Sequence, residues 1–405
     1  MAYPRVIMSV VYVHIGLPKT GTTHVQDRLW RNRDLALDTS GLLYPGNTIA
    51  DHFHAAVHLQ PDRYLDWVDP AFDDAWPTMV AQMRAWPQRS LVSHELFSSA
   101  TSDQIGALLA DLSFADEVHV IATVRDLGRQ LPSVWQENVK NQRQASFNDF
   151  VANIRAYAPR IGAGANASTP PAGDPAHDRD SLGPEEPFWE FQDYVGTLAK
   201  WADHVGPERV HIVTVPSHAA KGDTLWDRFL DAIDVDPAPL TGLVPSTNLS
   251  LSASQAEFLR RLNGRLQPDD IAWERYERVV KGHLIGEILF GSRSGTPQGL
   301  SDDQRAWAAE RADAMIGEVR SARYRVTGSL DDLRVAPVAG TNSEPPPDHE
   351  VLDVALDTLA EMVKAAPMPN VRPRLRTRAK NVIRRLRRRL LAARTRLAGP
   401  ADRPA

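Results

Sequence analysis

The feature that most constrains the fold lies near the N-terminus. A β-branched stretch over residues 6–15 runs into a glycine-containing turn at residues 16–23, and a helical pattern follows from about residue 22 to 33. Strand, glycine turn and helix in this order open an α/β unit with a parallel sheet. Because backbone N–H groups and a helix N-terminus converge at such a turn, the sequence predicts an anion site there.

Strand and helix patterns alternate along most of the remaining chain. Further strands are predicted over residues 90–93, 117–124 and 209–215. Helical patterns cover residues 75–86, 102–112, 131–141, 188–204, 252–266 and 301–323. The predicted fold class is α/β, a P-loop-type three-layer fold with a central parallel sheet and helices on both faces.

Two stretches rich in proline and glycine interrupt this pattern. Residues 159–187 cannot form a packed element, and they are interpreted as either a lid or a disordered loop. The stretch 336–347 marks the end of the main domain. We therefore predict a main domain over residues 1–335, a linker with a short acidic helix over 336–370, and a basic tail over 371–405.

The basic tail differs sharply in charge from the rest of the chain. It holds twelve arginines, one lysine and one aspartate, a net charge of +12 that leaves −17 on the other 370 residues. Within residues 377–397, apolar side chains recur at steps of four and three, which is typical of an amphipathic helix. Several interpretations of the tail stay open. It contacts an anionic membrane, a partner protein, the acidic body or nucleic acid without specificity, or it is plainly solvated. We expect membrane or partner docking and no specific nucleic acid.

Composition excludes several classes of protein. The absence of cysteine from all 405 residues removes disulfides, thiolate nucleophiles, Fe–S clusters and sulfur-bound zinc. No apolar run approaches the roughly 20 residues that a membrane span needs. The N-terminal apolar stretch is too short for a signal peptide and lacks a small-residue cleavage site. The expected location is cytoplasmic, with a peripheral position at the membrane surface open through the tail.

The glycine turn departs from the P-loop of nucleoside triphosphatases. That P-loop places a lysine and a serine or threonine directly after its second glycine. Here Thr22 and Thr23 follow Gly21, and Lys19 precedes it by two positions. The displaced lysine leaves no standard pair for phosphate and Mg²⁺, which argues against an ordinary ATPase or kinase.

A second candidate anion site follows the strand predicted over residues 117–124. Arg125 and Asp126 come at the carboxyl end of this strand, and Ser133 stands eight residues after Arg125. Since ligands of open α/β sheets bind at the carboxyl ends of strands, we expect Arg125 beside the first turn. An arginine and a hydroxyl there suit a second, separate phosphate, while an ion pair with Asp126 or a neighbouring helix stays open.

Together the two segments resemble the sulfotransferases that use 3′-phosphoadenosine 5′-phosphosulfate (PAPS), and the run Trp135-Gln-Glu…Lys-Asn141 resembles their bacterial branch. In that family, a turn of the form P-K-[ST]-G-T-T binds the 5′-phosphosulfate, and an R-[DN]…S segment binds the 3′-phosphate. The matching positions of this chain are Pro18, Lys19, Thr20, Gly21, Thr22, Thr23, Arg125 and Ser133. The resemblance implies PAPS as the donor, Lys19 at the leaving phosphate and no metal.

The resemblance also implies a general base after the strand at residues 90–93. That strand leads into Ser-His-Glu, and many cytosolic relatives carry a Thr-His there whose histidine is the base. His94 matches that position. Glu95 is the alternative, because other branches use a carboxylate and bacterial relatives often show Ser-Ser-Glu.

Three weaker features complete the candidate site. His52, His54 and His58 have spacings that suggest a metal site, a wall facing the substrate, a second base candidate or a solvated helix, and His54 is the one taken as a substrate-binding candidate. Arg293, in a basic glycine-containing loop, is a candidate donor contact. His24 stands where cytosolic relatives carry a tryptophan near the adenine, so adenine recognition does not transfer.

The expected function is sulfuryl transfer from PAPS to a hydroxyl, or an amine, of a carbohydrate, glycolipid or small metabolite. Two alternatives stay open. One is a P-loop phosphotransferase, which Mg²⁺-dependent ATP turnover would support. The other is a noncatalytic nucleotide-binding relative, which donor binding without turnover would support.

Overall fold

The computed structural model describes residues 8–160, 187–217, 223–244, 250–266, 269–292, 295–336 and 343–366. Residues 161–186 of the predicted lid, Arg293 and the whole basic tail lie outside this part of the chain. Two compact units are distinguished, Met1–Thr358 and Leu359–Ala405. The boundaries placed at residues 335 and 370 stay predictions.

The first unit is built on one parallel sheet. Its strands are β1 (Val10–His14), β2 (Leu42–Leu43), β3 (Arg89–Ser93), β4 (Glu117–Val124), β5 (Val210–Thr214) and β6 (Arg325–Thr327), in the spatial order β2-β3-β1-β4-β5-β6. Every pairing is parallel, with Val10 of β1 opposite Arg89 of β3 and Glu117 of β4. The fold class is therefore the predicted P-loop-type α/β fold.

Helices connect the strands and cover the sheet. They are α1 (Thr22–Ser40), α2 (Asp51–Leu59), α3 (Ala75–Ala85), α4 (Ser102–Asp111), α5 (Leu127–Lys140), α6 (Phe147–Ala156), α7 (Phe188–Gln192), α8 (Tyr194–Val205), α9 (Leu225–Asp231), α10 (Ala253–Asn263), α11 (Trp273–Arg275), a π-helix (Tyr276–Leu289), α12 (Asp302–Ala322) and α13 (Asp348–Ala365). Short 3₁₀ turns lie at Leu65–Trp67, Pro70–Phe72, Glu95–Ser99, Pro207–Arg209 and Leu330–Leu333.

Most helix predictions agree with these bounds to within a few residues, and three do not. α1 continues to Ser40 instead of stopping at residue 33, and it ends where Gly41 adopts a left-handed conformation. α5 starts at Leu127 instead of residue 131, because Asp126 caps it through the backbone N–H of Arg129. The segment predicted as one helix over 188–204 is two helices that meet at Asp193.

The core lies on both faces of the sheet, as a three-layer fold requires. Neighbouring residues of one strand join opposite clusters: Val11 and Val13 of β1 pack in one, and Tyr12 packs in the other. Strands buried on both faces are typical of parallel sheets with helices on each side.

The strand order creates a crevice between β1 and β4. The connection from β1 leads outward to β2 at one edge, whereas that from β4 leads to β5 on the other side. Ligands of open α/β sheets bind at such a switch point, at the carboxyl ends of the strands. The turn after β1 and Arg125 after β4 both lie there.

Among the described residues, no helix has the length and apolar character needed to cross a bilayer.

Candidate functional site

The turn between β1 and α1 depends on close backbone approach. Gly16 and Gly21 have φ angles of 84° and 96°, which are open to glycine at little cost. A Cβ at Gly16 would lie 2.6 Å from Cβ of Glu95, so only glycine lets the turn pass this close to the end of β3. Lys19 also has a positive φ, 66°, a conformation that is uncommon without glycine and clusters at functional sites.

Side chains from three other elements hold the turn in place. Thr20 donates its hydroxyl to the carbonyl of Leu17 at 2.6 Å and lies 2.6 Å from the hydroxyl of Thr123. Gln130 of α5 and Gln192 of α7 both donate to the carbonyl of Pro18, at 2.8 and 3.1 Å. Thr20 therefore shapes the turn from inside through its side chain, and the conformation of the turn is fixed before any ligand arrives.

Lys19 is engaged by a carboxylate. Its Nζ atom donates to Oε2 of Glu137 in α5 at 2.9 Å, and the two side chains are 34% and 35% exposed. Burial favours the protonated form of Glu137, but Lys19 and the more distant Lys140 and Lys281 outweigh it and hold the pKa of that carboxyl below its usual value. An anion that binds Lys19 therefore competes with Glu137 for its charge.

Arg125 presents the opposite situation. Its Nη1 atom donates to the carbonyl of Lys19 at a long 3.4 Å, its Nε atom is buried without a hydrogen-bond partner, and it forms no ion pair within the described part of the chain. Burial, with Arg129 nearby, lowers the pKa of Arg125 to about 10. A guanidinium that is desolvated and unpaired is a strong site for an anion.

Arg125 opens on a cavity of about 260 Å³ at the start of α5. The cavity is lined by Arg125, Gly128, Arg129, Pro132, Ser133, Gln136, Ser250, Pro297, Gln298, Gly299, Leu300, Arg305 and Ala336. The structure thus brings together the two residues, Arg125 and Ser133, that the sequence assigned to a second phosphate. The segment 297–300 and Arg305 complete the wall, and no sequence signal indicated them.

The two other arginines of this cavity have carboxylate partners. Arg129 pairs with Asp126, and it also donates to the carbonyl of Pro216 at 2.9 Å. Arg305 donates to Asp302 at 2.6 Å and to the carbonyl of Leu300 at 2.9 Å. The ion pair between Arg125 and Asp126 that the sequence left open is not formed, because Asp126 caps α5 and pairs with Arg129 instead.

His94 and Glu95 lie at the carboxyl end of β3, next to the glycine turn. His94 accepts the backbone N–H of Leu96 at its Nδ1 atom, 3.2 Å away, and burial lowers its pKa. A neutral ring bonded in this way carries its proton on Nε2. Glu95 lies against Gly16, and its Oε2 atom accepts Nε2 of Gln26 at 3.2 Å.

The three histidines around α2 do not converge. His52 is buried, stacks on Tyr44 and bonds the carbonyl of Pro45 through Nε2, and burial lowers its pKa to about 3. His54 stacks on Phe72, 3.7 Å between ring centroids, and its Nδ1 atom is buried without a partner. His58 contacts Asp73 instead. Within the described residues, no group of three or more histidines and carboxylates is arranged to hold a metal ion.

Sequence reasoning missed the role of Glu137 and of a buried histidine under the turn. His14, the last residue of β1, is fully buried and lies 2.7 Å from the hydroxyl of Ser93. Burial lowers the pKa of His14 to about 3, so the ring is neutral. A histidine within an otherwise apolar strand was the available signal for His14. Glu137 had no local signal, because its partner Lys19 is 118 positions away.

Comparison with known proteins gave no match to a family model, to a curated protein or to a solved structure.

Proposed function

We propose that the chain is a sulfotransferase that transfers the sulfuryl group of PAPS to a hydroxyl of an acceptor. The observation that carries the proposal is Arg125, a desolvated guanidinium with no carboxylate partner among the described residues, opening on a cavity that Ser133 also lines. One strand away, a glycine turn presents Lys19. Two anion sites on neighbouring strands suit a nucleotide that carries phosphate on both its 3′ and 5′ oxygens.

The proposed reaction moves the sulfuryl group in one step. The acceptor oxygen forms a bond to sulfur, the bond from sulfur to the 5′-phosphate oxygen breaks, and adenosine 3′,5′-bisphosphate leaves. Lys19 would neutralise the charge that develops on the leaving phosphate, in competition with Glu137. The backbone N–H groups at the start of α1 would hold the remaining oxygens.

The proton of the acceptor hydroxyl passes to a base, for which we propose Glu95. The Nδ1 atom of His94 already accepts the Leu96 N–H, and in the neutral ring Nε2 carries the proton, so neither nitrogen is free to take another. Glu95 retains acceptor positions beyond its bond to Gln26 and lies against the turn at Gly16. In this arrangement His94 donates from Nε2 and orients the acceptor.

Two further features belong to the proposal. The location is cytoplasmic, with the basic tail of residues 371–405 bringing the chain to an anionic membrane or a partner protein. The acceptor is a carbohydrate, a glycolipid or another small metabolite, and no metal takes part in the proposed chemistry.

Calorimetric titration with adenosine 3′,5′-bisphosphate tests the proposal, with ATP and ADP plus Mg²⁺ as controls. We expect micromolar binding of the bisphosphate without metal, and binding of ATP at least tenfold weaker. Binding confined to Mg²⁺-ATP would contradict the proposal and support the phosphotransferase alternative. Bisphosphate binding without sulfuryl transfer to any of a broad set of acceptors would support a noncatalytic relative.

A further inference from the structure

Beyond Lys19, a group of lysines extends along the rim of the candidate site. Lys140, at the end of α5, lies 3.9 Å from Glu137, the carboxylate that also binds Lys19. Lys281 of the π-helix donates to Oδ1 of Asn141 at 2.9 Å, directly after α5. These three lysines and Glu137 are named the rim cluster.

The rim cluster has more positive charge than its own carboxylate can neutralise. Burial lowers the pKa of Lys140 more than Glu137 raises it, and Lys19 and Lys281 lower it further. Lys281 has no carboxylate within 4 Å in the described part of the chain, although Asn141 accepts one of its protons. Three ammonium groups around one carboxylate leave a net charge of about +2 at neutral pH.

This local charge is opposite to that of its surroundings. Residues 1–370 carry a net charge of −17. A positive patch at the entrance of a site on an acidic body attracts anions and repels cations from that one region. The donor accounts for only part of this positive charge, because Lys19 is the group assigned to the donor. The ammonium groups of Lys140 and Lys281 remain without an assigned ligand.

Aromatic side chains lie beside both of these lysines. The Nζ atom of Lys140 is 5.3 Å from the ring centre of Phe290, and that of Lys281 is 5.3 Å from the ring centre of Trp273. Trp273 is 45% exposed, and its ring also stacks on Tyr276, 5.7 Å between ring centroids. The exposed part of an indole next to an ammonium group offers apolar surface for the C–H side of a sugar ring and a charge for its acidic substituent.

We propose that the acceptor is a carbohydrate that bears carboxylates, with Lys140 and Lys281 binding its acidic groups and Trp273 packing against a sugar ring. The inference rests on the proposed function, since it names the acceptor class for the same site. With Lys19 occupied by the donor, Lys140 and Lys281 together still carry one positive charge more than Glu137 neutralises. Lys281 is the specificity-determining residue of this surface, since no carboxylate among the described residues lies within 4 Å of it.

Direct binding of two oligosaccharides tests the inference. The probes are a tetrasaccharide of alternating glucuronate and N-acetylglucosamine and the neutral tetramer of N-acetylglucosamine, titrated with and without saturating adenosine 3′,5′-bisphosphate. For the natural chain we expect the acidic probe to bind at least roughly tenfold more tightly than the neutral one, and this preference to shrink as salt is added.

Lys281→Met should abolish the preference, and Arg278→Met is its matched control. Arg278 lies on the same π-helix, is 79% exposed and pairs with Glu274, so its loss should leave the preference intact. Equal binding of the two probes, binding of neither, or a preference that survives Lys281→Met while melting temperature is unchanged would overturn the inference.

The experiments distinguish failure of the acceptor assignment from failure of the proposed function. Lys281→Met should bind adenosine 3′,5′-bisphosphate as tightly as the natural chain does. If the natural chain does not bind the bisphosphate, the proposed function is wrong whatever the oligosaccharides do. If the bisphosphate binds and the acidic probe shows no preference, the donor assignment stands and only the acceptor class is wrong.

Discussion

The carboxyl ends of β1 and β4 lie side by side and differ in how their charged groups are paired. After β4, Arg125 is partly buried, has no carboxylate partner in the part of the chain that the structure describes and opens on a cavity of about 260 Å³. After β1, the charged group of the turn is Lys19, and Glu137 holds it at 2.9 Å. The guanidinium after β4 has no anionic partner among the described residues, whereas the ammonium group after β1 is already paired with a carboxylate.

Under the proposed function, this difference in charge pairing predicts different tasks for the two regions. A desolvated guanidinium without a carboxylate partner gains charge-assisted hydrogen bonds when a phosphate binds. The region after β4 should therefore supply most of the binding free energy. In the region after β1 an incoming anion competes with Glu137 for Lys19, so we expect its net contribution to the binding free energy to be smaller. Its charge matters more when negative charge grows on the leaving oxygen.

The largest effect should follow removal of the Lys19 ammonium group. Lys19→Ala should lower the rate of sulfuryl transfer by about 10³-fold, in the range seen when one preorganised donor to a developing anion is lost. Affinity for adenosine 3′,5′-bisphosphate should fall by less than about tenfold, because Glu137 already competes for this lysine. Turnover with labelled PAPS and calorimetry of the bisphosphate measure the two effects, and a loss confined to binding would contradict the division of tasks.

Removal of the unpaired guanidinium should show the reverse pattern. Arg125→Ala should weaken bisphosphate binding by about 100-fold, the value of one or two charge-assisted hydrogen bonds. Arg305→Gln, in the same cavity but paired with Asp302, should cost less than about fivefold. Similar losses in both variants would mean that pairing does not distinguish these arginines.

The assignment of Glu95 as the base predicts an effect of intermediate size on turnover. Glu95→Gln should lower turnover by about 100-fold and leave bisphosphate affinity within twofold, since the amide is isosteric and cannot accept the proton. His94→Asn is the comparison variant, and its loss of rate should be smaller. A larger loss in His94→Asn would return the base role to that histidine.

A neutral, buried histidine lies under the turn after β1, and it makes the free energy of unfolding depend on pH. Burial holds the pKa of His14 at about 3, far below the value of an exposed histidine, so the unfolded chain binds more protons between about pH 6.5 and pH 3. Stability should therefore be full above about pH 6.5 and fall steadily as the pH drops toward 3. Urea unfolding across this range measures the slope.

The variant His283→Gln is the control for that slope. His283 lies on the π-helix with 36% of its side chain exposed, so it is not a buried histidine of the kind that sets the slope. A natural chain as stable at pH 4 as at pH 7 would show that no buried neutral histidine has to be protonated on unfolding.

The smallest effect should come from Glu137→Gln. Without its carboxylate, Lys19 has no competing anion and the site loses a negative charge, so bisphosphate affinity should rise by about three- to tenfold at low salt. Glu257→Gln, which removes a carboxylate paired with Arg260 and Arg261 on α10, is the control and should leave the affinity unchanged. Weaker binding in Glu137→Gln would mean that the carboxylate positions Lys19 for the donor.

The fold and the positions of the glycine turn and of Arg125 followed from local sequence patterns. The strand predicted over residues 117–124 has those bounds, and Arg125 follows it as expected. These predictions succeeded because strand period, glycine turns and the parallel crossover rule act over short stretches of chain. The start of α5 was placed late because Pro132 within it suggests a helix start, whereas the Asp126 cap decides the boundary.

The charge state of the site could not be read in the same way. Whether Arg125 or Arg129 receives Asp126, and whether Lys19 is free or held by Glu137, depends on contacts between elements far apart in sequence. The spacing of His52, His54 and His58 was also misleading as a metal signal, since stacking on Tyr44 and Phe72 turns two of the rings to different neighbours. Pairing of charged groups is a tertiary property, and it separates the two regions here.

One measurement tests this difference most directly. Calorimetry of adenosine 3′,5′-bisphosphate and of adenosine 5′-monophosphate, on the natural chain and on Arg125→Ala, isolates the contribution of the 3′-phosphate. We expect the natural chain to prefer the bisphosphate by about 100-fold and Arg125→Ala to bind the two nucleotides equally. A preference that persists in Arg125→Ala, or its absence from the natural chain, would contradict the assignment of the cavity after β4 to the 3′-phosphate.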